Sequence, residues 1–245
     1  MSPSFTIKTG IVPGRDHILS ARNCQDAVRW RKVTIGSDEY FVAFICDGCS
    51  SGKFTEVGAS LAAEFLVTQT QSHLIGGLSV PVLSAVLYSD LRDYLDWLVN
   101  GFFMNPQDLS VYIQDYLLFT VMGVIVGADC ALVLNAGDGV IIVNDDLKIV
   151  DCNNEPPYPA YHLVDQKYLS PDRRNLPGNF DISIFKTAEI NRILIGSDSW
   201  ITYTHLLNEV WGLKHPNAVQ RKMNVWSSTN HFLQDDASLA IFEKN

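Results

Sequence analysis

The sequence predicts an α+β fold, a layered sandwich with its sheets inside, and three observations carry that expectation. Strand-like and helical patterns segregate along the chain instead of alternating, which disfavours a doubly wound sheet. Helical periodicity occurs early and again late, so two sets of helices can cover opposite faces of strands drawn from both halves. No internal repeat, low-complexity tract or Gly/Ser linker divides the chain, so its 245 residues are read as a single domain, 1–245, large enough for one sizeable core.

The elements follow in order. YFVAFI at 40–45 is β-branched and aromatic between acidic flanks, and reads as a buried strand that delivers Asp47 to its C-terminal end. Past Gly52, the residues Val57, Leu61 and Phe65 recur at i+4 beside the small Gly58 and Ala62, which predicts a helix packing through one face. After Pro81, a stripe of Leu83, Leu87, Leu91, Tyr94 and Leu98 predicts a second helix ending at Gly101, with Asp90, Asp93 and Asp96 largely off the stripe.

Between 117 and 150 the runs LLFTVMGVIV, CALVLNA, VIIV and LKIV alternate with Gly-Ala-Asp, Gly-Asp-Gly and Asn-Asp-Asp turns, and predict an antiparallel meander. Prolines 156, 157, 159, 171 and 177 make about 153–178 a long loop or flap. Strands return at ISIFK and RILIGSD, helices at about 201–210 and 217–225, and SLAIFE is the last strand.

Composition excludes several function classes. With 47% hydrophobic and 18% charged residues, and no apolar run near the ~18 residues of a membrane span, the chain reads as soluble, without a membrane partner. Residues 1–14 lack a basic start followed by an apolar stretch, so a cytoplasmic location is expected. A formal charge of −9 argues against a broad nucleic-acid surface. The five cysteines, an odd and widely spaced set, suit reduced thiols, and Cys46-x-x-Cys49 lacks the second pair that a structural zinc site needs.

Acidic punctuation is the informative pattern. Strand-like runs are repeatedly marked by aspartate beside a small residue: Asp47-Gly48, Asp138-Gly139 and Asp198-Ser199, with Gln25-Asp26 early and Gln234-Asp235-Asp236 late. Carboxylates gathered at one sheet edge would repel and raise each other's pKa unless cations neutralised them, so the pattern points to a hard divalent metal, Mn²⁺ or Mg²⁺. Each motif alone is also an ordinary turn, and only their combination and order shift the balance.

The segment GRDHILSARNCQDA followed by FVAFICDGCSSGKFTEVGA resembles the opening of the PP2C (PPM) family of protein serine/threonine phosphatases, in particular a bacterial branch. GADCALVLNAGDG resembles the family's central strand pair, RILIGSDSW its late strand, and QDDASLAIF its closing strand, in the family's order across nearly the whole chain. The resemblance implies a four-layer α/β/β/α sandwich and metal-dependent hydrolysis of phosphoserine and phosphothreonine in proteins. It implies two divalent cations, with Asp47 bridging them, the Gly48 carbonyl joining one, and Asp198 and Asp235 completing the set. It further implies a weaker third cation at Asp138, metal-bound water held by Asp26, and attack on phosphorus by a metal-activated water. The expected partner is a phosphorylated protein in a pathway linked to a serine/threonine kinase.

His17 shares its spacing with the bacterial branch, which implies a phosphate or leaving-group contact beside the alternative of fixing the N-terminal loop. Arg22 is the nearest candidate to grip phosphate, since Ala21 stands where some members carry Arg. Gln25 replaces a frequent Glu, Cys49 a histidine of some members, and Ser199 a usual glycine that matters only if the turn requires positive φ. These departures motivate a second expectation, a weak or inactive pseudophosphatase acting as a binding module, and the same chemistry allows a small-molecule phosphoesterase. Asp236 is expected to be structural, and Trp200 and Trp211 to be packing residues.

Overall fold

The computed structural model describes residues 4–101, 105–153, 155–165, 167, 169, 178–230 and 233–245. Two five-stranded sheets lie at its centre. The first contains β1 (Phe5–Val12), β6 (Gly139–Val143), β7 (Asp146–Val150), β9 (Arg192–Gly196) and β10 (Ala237–Lys244), in the order β1-β10-β9-β6-β7. The second contains β2 (Asp26–Ile35), β3 (Asp38–Asp47), β4 (Val121–Val126), β5 (Cys130–Ala136) and β8 (Asp181–Lys186), in the order β2-β3-β4-β5-β8. Neighbouring strands pair antiparallel throughout.

The two faces of a strand explain why β3 is apolar at every position from Tyr40 to Cys46. Phe41, Ala43 and Ile45 face the other sheet and pack with Phe5, Met122, Ile195 and Phe242. Val42, Phe44 and Cys46 face the opposite way, into a cluster under α2 (Thr55–Ile75), α3 (Leu83–Asn100) and α4 (Pro106–Tyr116). On the far side α5 (Ser199–Thr202), the 3₁₀ turn Thr204–Val210 and α6 (Ala218–Val225) cover the first sheet through Trp200, Leu207, Val219 and Met223. The result is the expected four-layer α/β/β/α sandwich. None of its described helices is long and apolar enough to cross a membrane.

Several local expectations are corrected. The packing face of α2 lies to one side of the stripe Val57, Leu61 and Phe65, on the small residues beside it: Val57 and Leu61 are exposed and Phe65 is half-buried against Tyr94, while Gly58, Ala59, Ala62, Ala63, Leu66 and Val67 are buried. Small residues win because the helix lies too close to its neighbours for large ones. A Cβ at Gly58 would stand 2.2 Å from the Tyr116 carbonyl oxygen.

The stretch from 117 to 150 is not one meander. β4 and β5 form a hairpin in the second sheet, β6 and β7 one in the first, and Gly137-Asp138-Gly139 carries the chain between them. Both glycines adopt φ 144 and approach Thr120 and Gly196 within 2.3 Å of where a Cβ would sit, so this is a sheet crossover that needs glycine. β1, β2 and α4 carry no sequence expectation, although Asn105 caps α4 by accepting from the Gln107 and Asp108 amides, with Pro106 at its first position. The expected 153–178 loop lies outside the described residues at 154, 166, 168 and 170–177; its described part holds a 3₁₀ turn, Pro159–Leu163, with Tyr161 buried.

This packing face of α2 is directly testable. Gly58→Val is expected to destabilise the fold by about 1–3 kcal/mol or more through overpacking, and Leu61→Ser by less than about 1 kcal/mol. Urea unfolding of both variants measures the difference, and a larger loss from Leu61→Ser would reverse the assignment of faces.

Candidate metal centre

Antiparallel pairing brings the acidic punctuation to one end of the sandwich, because the end of one strand lies beside the start of the next. Asp47 closes β3 directly opposite Asp26, which opens β2. Asp198 follows the end of β9, Asp235 and Asp236 precede the start of β10, and Gly196 pairs with both Leu239 of β10 and Val140 of β6. Asp138 precedes β6. Asp47, Gly48, Asp138, Asp198 and Asp235 thereby line one cavity of about 480 Å³. Asp26 lies beneath it, buried at the strand pair.

Local bonds fix each carboxylate's backbone. The Asp47 carbonyl accepts from the Thr120 amide at 2.8 Å, and the Gly48 amide donates to the Gln25 carbonyl at 3.2 Å. A Cβ on Gly48 would stand 2.8 Å from both the Gln25 carbonyl oxygen and Thr55 Oγ1, so glycine is the residue that fits. Asp198 is followed by a helical turn in which the Trp200 and Ile201 amides donate to the Ser197 and Asp198 carbonyls. Ser199 sits in α5, is not among the described positive-φ residues, and donates from Oγ to the Asp236 carbonyl at 2.6 Å, so the serine binds the turn to β10. Trp200 is fully buried and donates to the Ser238 carbonyl, and Trp211 is half-buried against the Arg192 guanidinium.

The electrostatics are those of an anion cluster without counter-charge. Asp47 is open to the cavity but closely surrounded by protein, and its pKa is raised well above the carboxylate range by desolvation, then by Asp26 and Asp198. Asp198 is raised by burial and then by Asp235. Burial and Asp198 push Asp138 up to about 6. Asp26 is pushed up to about 7 by burial, against a lowering hydrogen bond from Ser238. Among the described lining residues none is Lys or Arg, and of the lining aspartates Asp115 has an ammonium partner, Lys53, at 2.9 Å.

A hard divalent cation fits this donor set. The carboxylates supply oxygen alone, and two buried oxygens beside them, Asp26 Oδ1 and Gln25 Oε1, have no hydrogen-bond partner. Such orphaned acceptors are expected where a cation or its water belongs.

Other expected site residues lie off the cavity. His17 is 5% exposed, with Nδ1 at 2.7 Å from Asp236 Oδ2, which is the loop-fixing geometry and leaves it out of the cavity lining. Arg22 donates to the Ser50 and Gly52 carbonyls, holding the loop that forms the rim. Cys49 does line the cavity, with Sγ 3.1 Å from Ser51 Oγ. A wall of Leu118, Pro156, Tyr158, Tyr161 and Val164 stands in the same cavity, and burial followed by Cys49 raises the Tyr158 hydroxyl pKa, keeping it protonated. The proline-rich loop thus borders the site, as such loops often do, but which of its residues form the wall was not foreseen, because they carry no motif.

These shifts set a pH dependence. Raised carboxylate pKa values mean that the metal-free folded state holds protons that the unfolded chain has lost. The stability these groups contribute is therefore fully present below the ordinary carboxylate value of 3.8 and is lost as pH rises through about 6 for Asp138 and about 7 for Asp26. In EDTA the melting temperature is expected to drop between pH 5 and about pH 8, and saturating Mn²⁺ to remove most of that drop. A metal-free melting temperature that is flat or rising across this window contradicts the cluster's electrostatics.

Known proteins agree with this architecture. The solved structure of the serine/threonine phosphatase Stp1 from Staphylococcus aureus is similar at a TM-score of 0.59 and 14% identity, covering 99% of this chain and 96% of that one. PppA, titled a key regulatory component of the T6SS in Pseudomonas aeruginosa, is similar at 0.61 and 16%, covering 100% of both chains. The catalytic domain of the serine threonine protein phosphatase PstP, solved with two manganese ions, is similar at 0.53 and 12%, covering 98% of this chain and 99% of that one. At such identities the likeness shows the fold. No curated protein matches the sequence. A family model described as protein phosphatase 2C matches residues 13–226, and on that match the chain belongs to the protein phosphatase 2C family.

Proposed function

We propose that the protein is a metal-dependent phosphatase that hydrolyses phosphoserine and phosphothreonine in proteins, working as one domain. The observation that carries this reading is the convergence of Asp47, Asp138, Asp198 and Asp235 on a cavity whose described lining contains no basic side chain. Asp47, the Gly48 carbonyl, Asp198 and Asp235 would hold two divalent cations, with Asp138 available to a third. When bound, the cations lower the pKa of water and offset charge on phosphoryl oxygens. The two manganese ions of PstP support Mn²⁺ as the ion to test first.

The chain's own groups have separate duties in this reading. Asp26 Oδ1, buried and without a partner, orients water or takes its proton, while Oδ2 stays fixed by Ser238 Oγ at 2.6 Å. The wall of Leu118, Tyr158, Tyr161 and Val164 limits water access on one side of the cavity. Arg22 holds the rim loop through two carbonyls, and the remaining N–H groups of its guanidinium are donors for a phosphorylated segment. The substrate is a phosphoprotein from a kinase-linked signalling pathway, met in the cytoplasm.

A second reading, a pseudophosphatase that binds partners without turnover, is favoured by Gln25 and Cys49, which place a neutral amide and a thiol beside the centre. Against it, no carboxylate of the expected set is missing. Manganese-dependent phosphate release from p-nitrophenyl phosphate and from a phosphothreonine peptide separates the two. Asp47→Asn and Asp198→Asn are each expected to lower the rate by about a thousandfold or more, roughly 4 kcal/mol, without lowering the melting temperature of the metal-free protein, since each removes a repelling anion. Absence of turnover by the metal-replete wild type on both substrates sinks the enzyme reading and favours the binding one.

A further inference from the structure

Asp236 is outside the expected ligand set, yet more of the centre hangs on it than on any ligand. It is 3% exposed, and its carboxylate accepts from three donors in the N-terminal segment. These are the Gly14 amide on Oδ1 at 2.7 Å, His17 Nδ1 on Oδ2 at 2.7 Å, and the Gln25 amide on Oδ2. Its amide donates to Asp235 Oδ1 at 2.8 Å, and its carbonyl accepts from Ser199 Oγ at 2.6 Å. One residue thus binds the chain immediately before Asp26, the side chain of Asp235, and the residue immediately after Asp198.

The neighbouring backbone tightens the same knot. The Arg15 amide donates to the Leu233 carbonyl at 3.0 Å and the Asp16 amide to the Gln234 carbonyl at 3.1 Å. Gly14 lies so close over the turn that a Cβ there would sit 2.2 Å from the Asp235 carbonyl carbon. Three aspartates that are far apart in sequence therefore meet at one buried residue, whose carboxylate binds the chain before Asp26 and whose backbone amide and carbonyl bind Asp235 and Ser199.

We propose that Asp236, with His17 as its side-chain donor, is a positioning residue that sets the spacing of Asp26, Asp198 and Asp235 and thereby the affinity of the centre for divalent cations. This rests on the metal reading above. A carboxylate is suited to the place because it offers two acceptor oxygens to three N–H donors and makes charge-assisted bonds with all of them. Asparagine, of the same size, offers one acceptor and turns an NH₂ group toward those donors. Groups that orient metal ligands in this way typically contribute about 10–100-fold to metal affinity.

The test reads Mn²⁺ binding directly, by calorimetric titration of the full chain, with circular dichroism and melting of each metal-free variant as the check on folding. Asp236→Asn is expected to weaken Mn²⁺ binding by about tenfold or more. Its phosphatase rate on p-nitrophenyl phosphate is expected to recover toward wild type at high Mn²⁺, with little change in substrate KM. His17→Leu, which removes the donor, is expected to weaken binding more than His17→Gln, which restores an N–H; this pair decides the matter if Asp236→Asn does not fold. A folded Asp236→Asn with a Mn²⁺ Kd within about twofold of wild type overturns the proposal, as do His17→Leu and His17→Gln with equal affinities. Wild type that binds no Mn²⁺ overturns the metal reading itself, a result distinct from wild type and variants binding alike.

Discussion

Burial of aspartates held close together at one end of two packed sheets, with like-charge repulsion added to it, is the constraint on which the site depends. The framework can impose it because the sandwich is held elsewhere, by the inter-sheet core around Phe41, Ile195 and Phe242 and by the two outer helical layers. Burial then acts on the acids in one direction, raising Asp26, Asp47, Asp138 and Asp198 together. A group of carboxylates that all resist ionisation is costly as bare charge, and a cation would relieve both the desolvation and the repulsion.

The topology explains why residues so far apart in sequence share this duty. Antiparallel neighbours offer alternate strand starts and strand ends at one edge. Asp47 and Asp198 come from ends, Asp26 and Asp235 from starts, and Asp138 from the segment that crosses between sheets. The crossover is also what unites the two sheets at the cavity: Gly137 and Gly139 allow the backbone to pass close to Thr120 and Gly196. Each sheet thus contributes acids to a centre that neither holds alone.

Layering and acidic punctuation were legible in the sequence because each rests on local pattern: long apolar runs, helical stripes and Asp-Gly steps. What was not legible depended on distance of approach. The stripe Val57, Leu61 and Phe65 has helical spacing, but the small residues beside it decide the packed face, since only they admit the Tyr116 backbone. Gly-Asp-Gly is written the same way for a hairpin and for a crossover, and only pairing of β6 with β9 separates the two. The tyrosine wall and the bonds of Asp236 are long-range relations of residues that carry no motif of their own.

Two of the departures from the family pattern, Ser199 and Gln25, meet at Asp236. Ser199 stands where a glycine is usual, and its hydroxyl ties the Asp198 turn to the Asp236 carbonyl. Gln25 stands where Glu is frequent; its backbone amide donates to Asp236 Oδ2 as any residue's would, and its side-chain Nε2 donates to the Gly52 carbonyl where Glu would add an anion. Gln25 thus removes one anion from the ligand side, and the buried carboxylate of Asp236 lies off the cavity lining. On the proposed role of Asp236, metal affinity in this chain depends on how firmly the knot there holds the remaining charges in place.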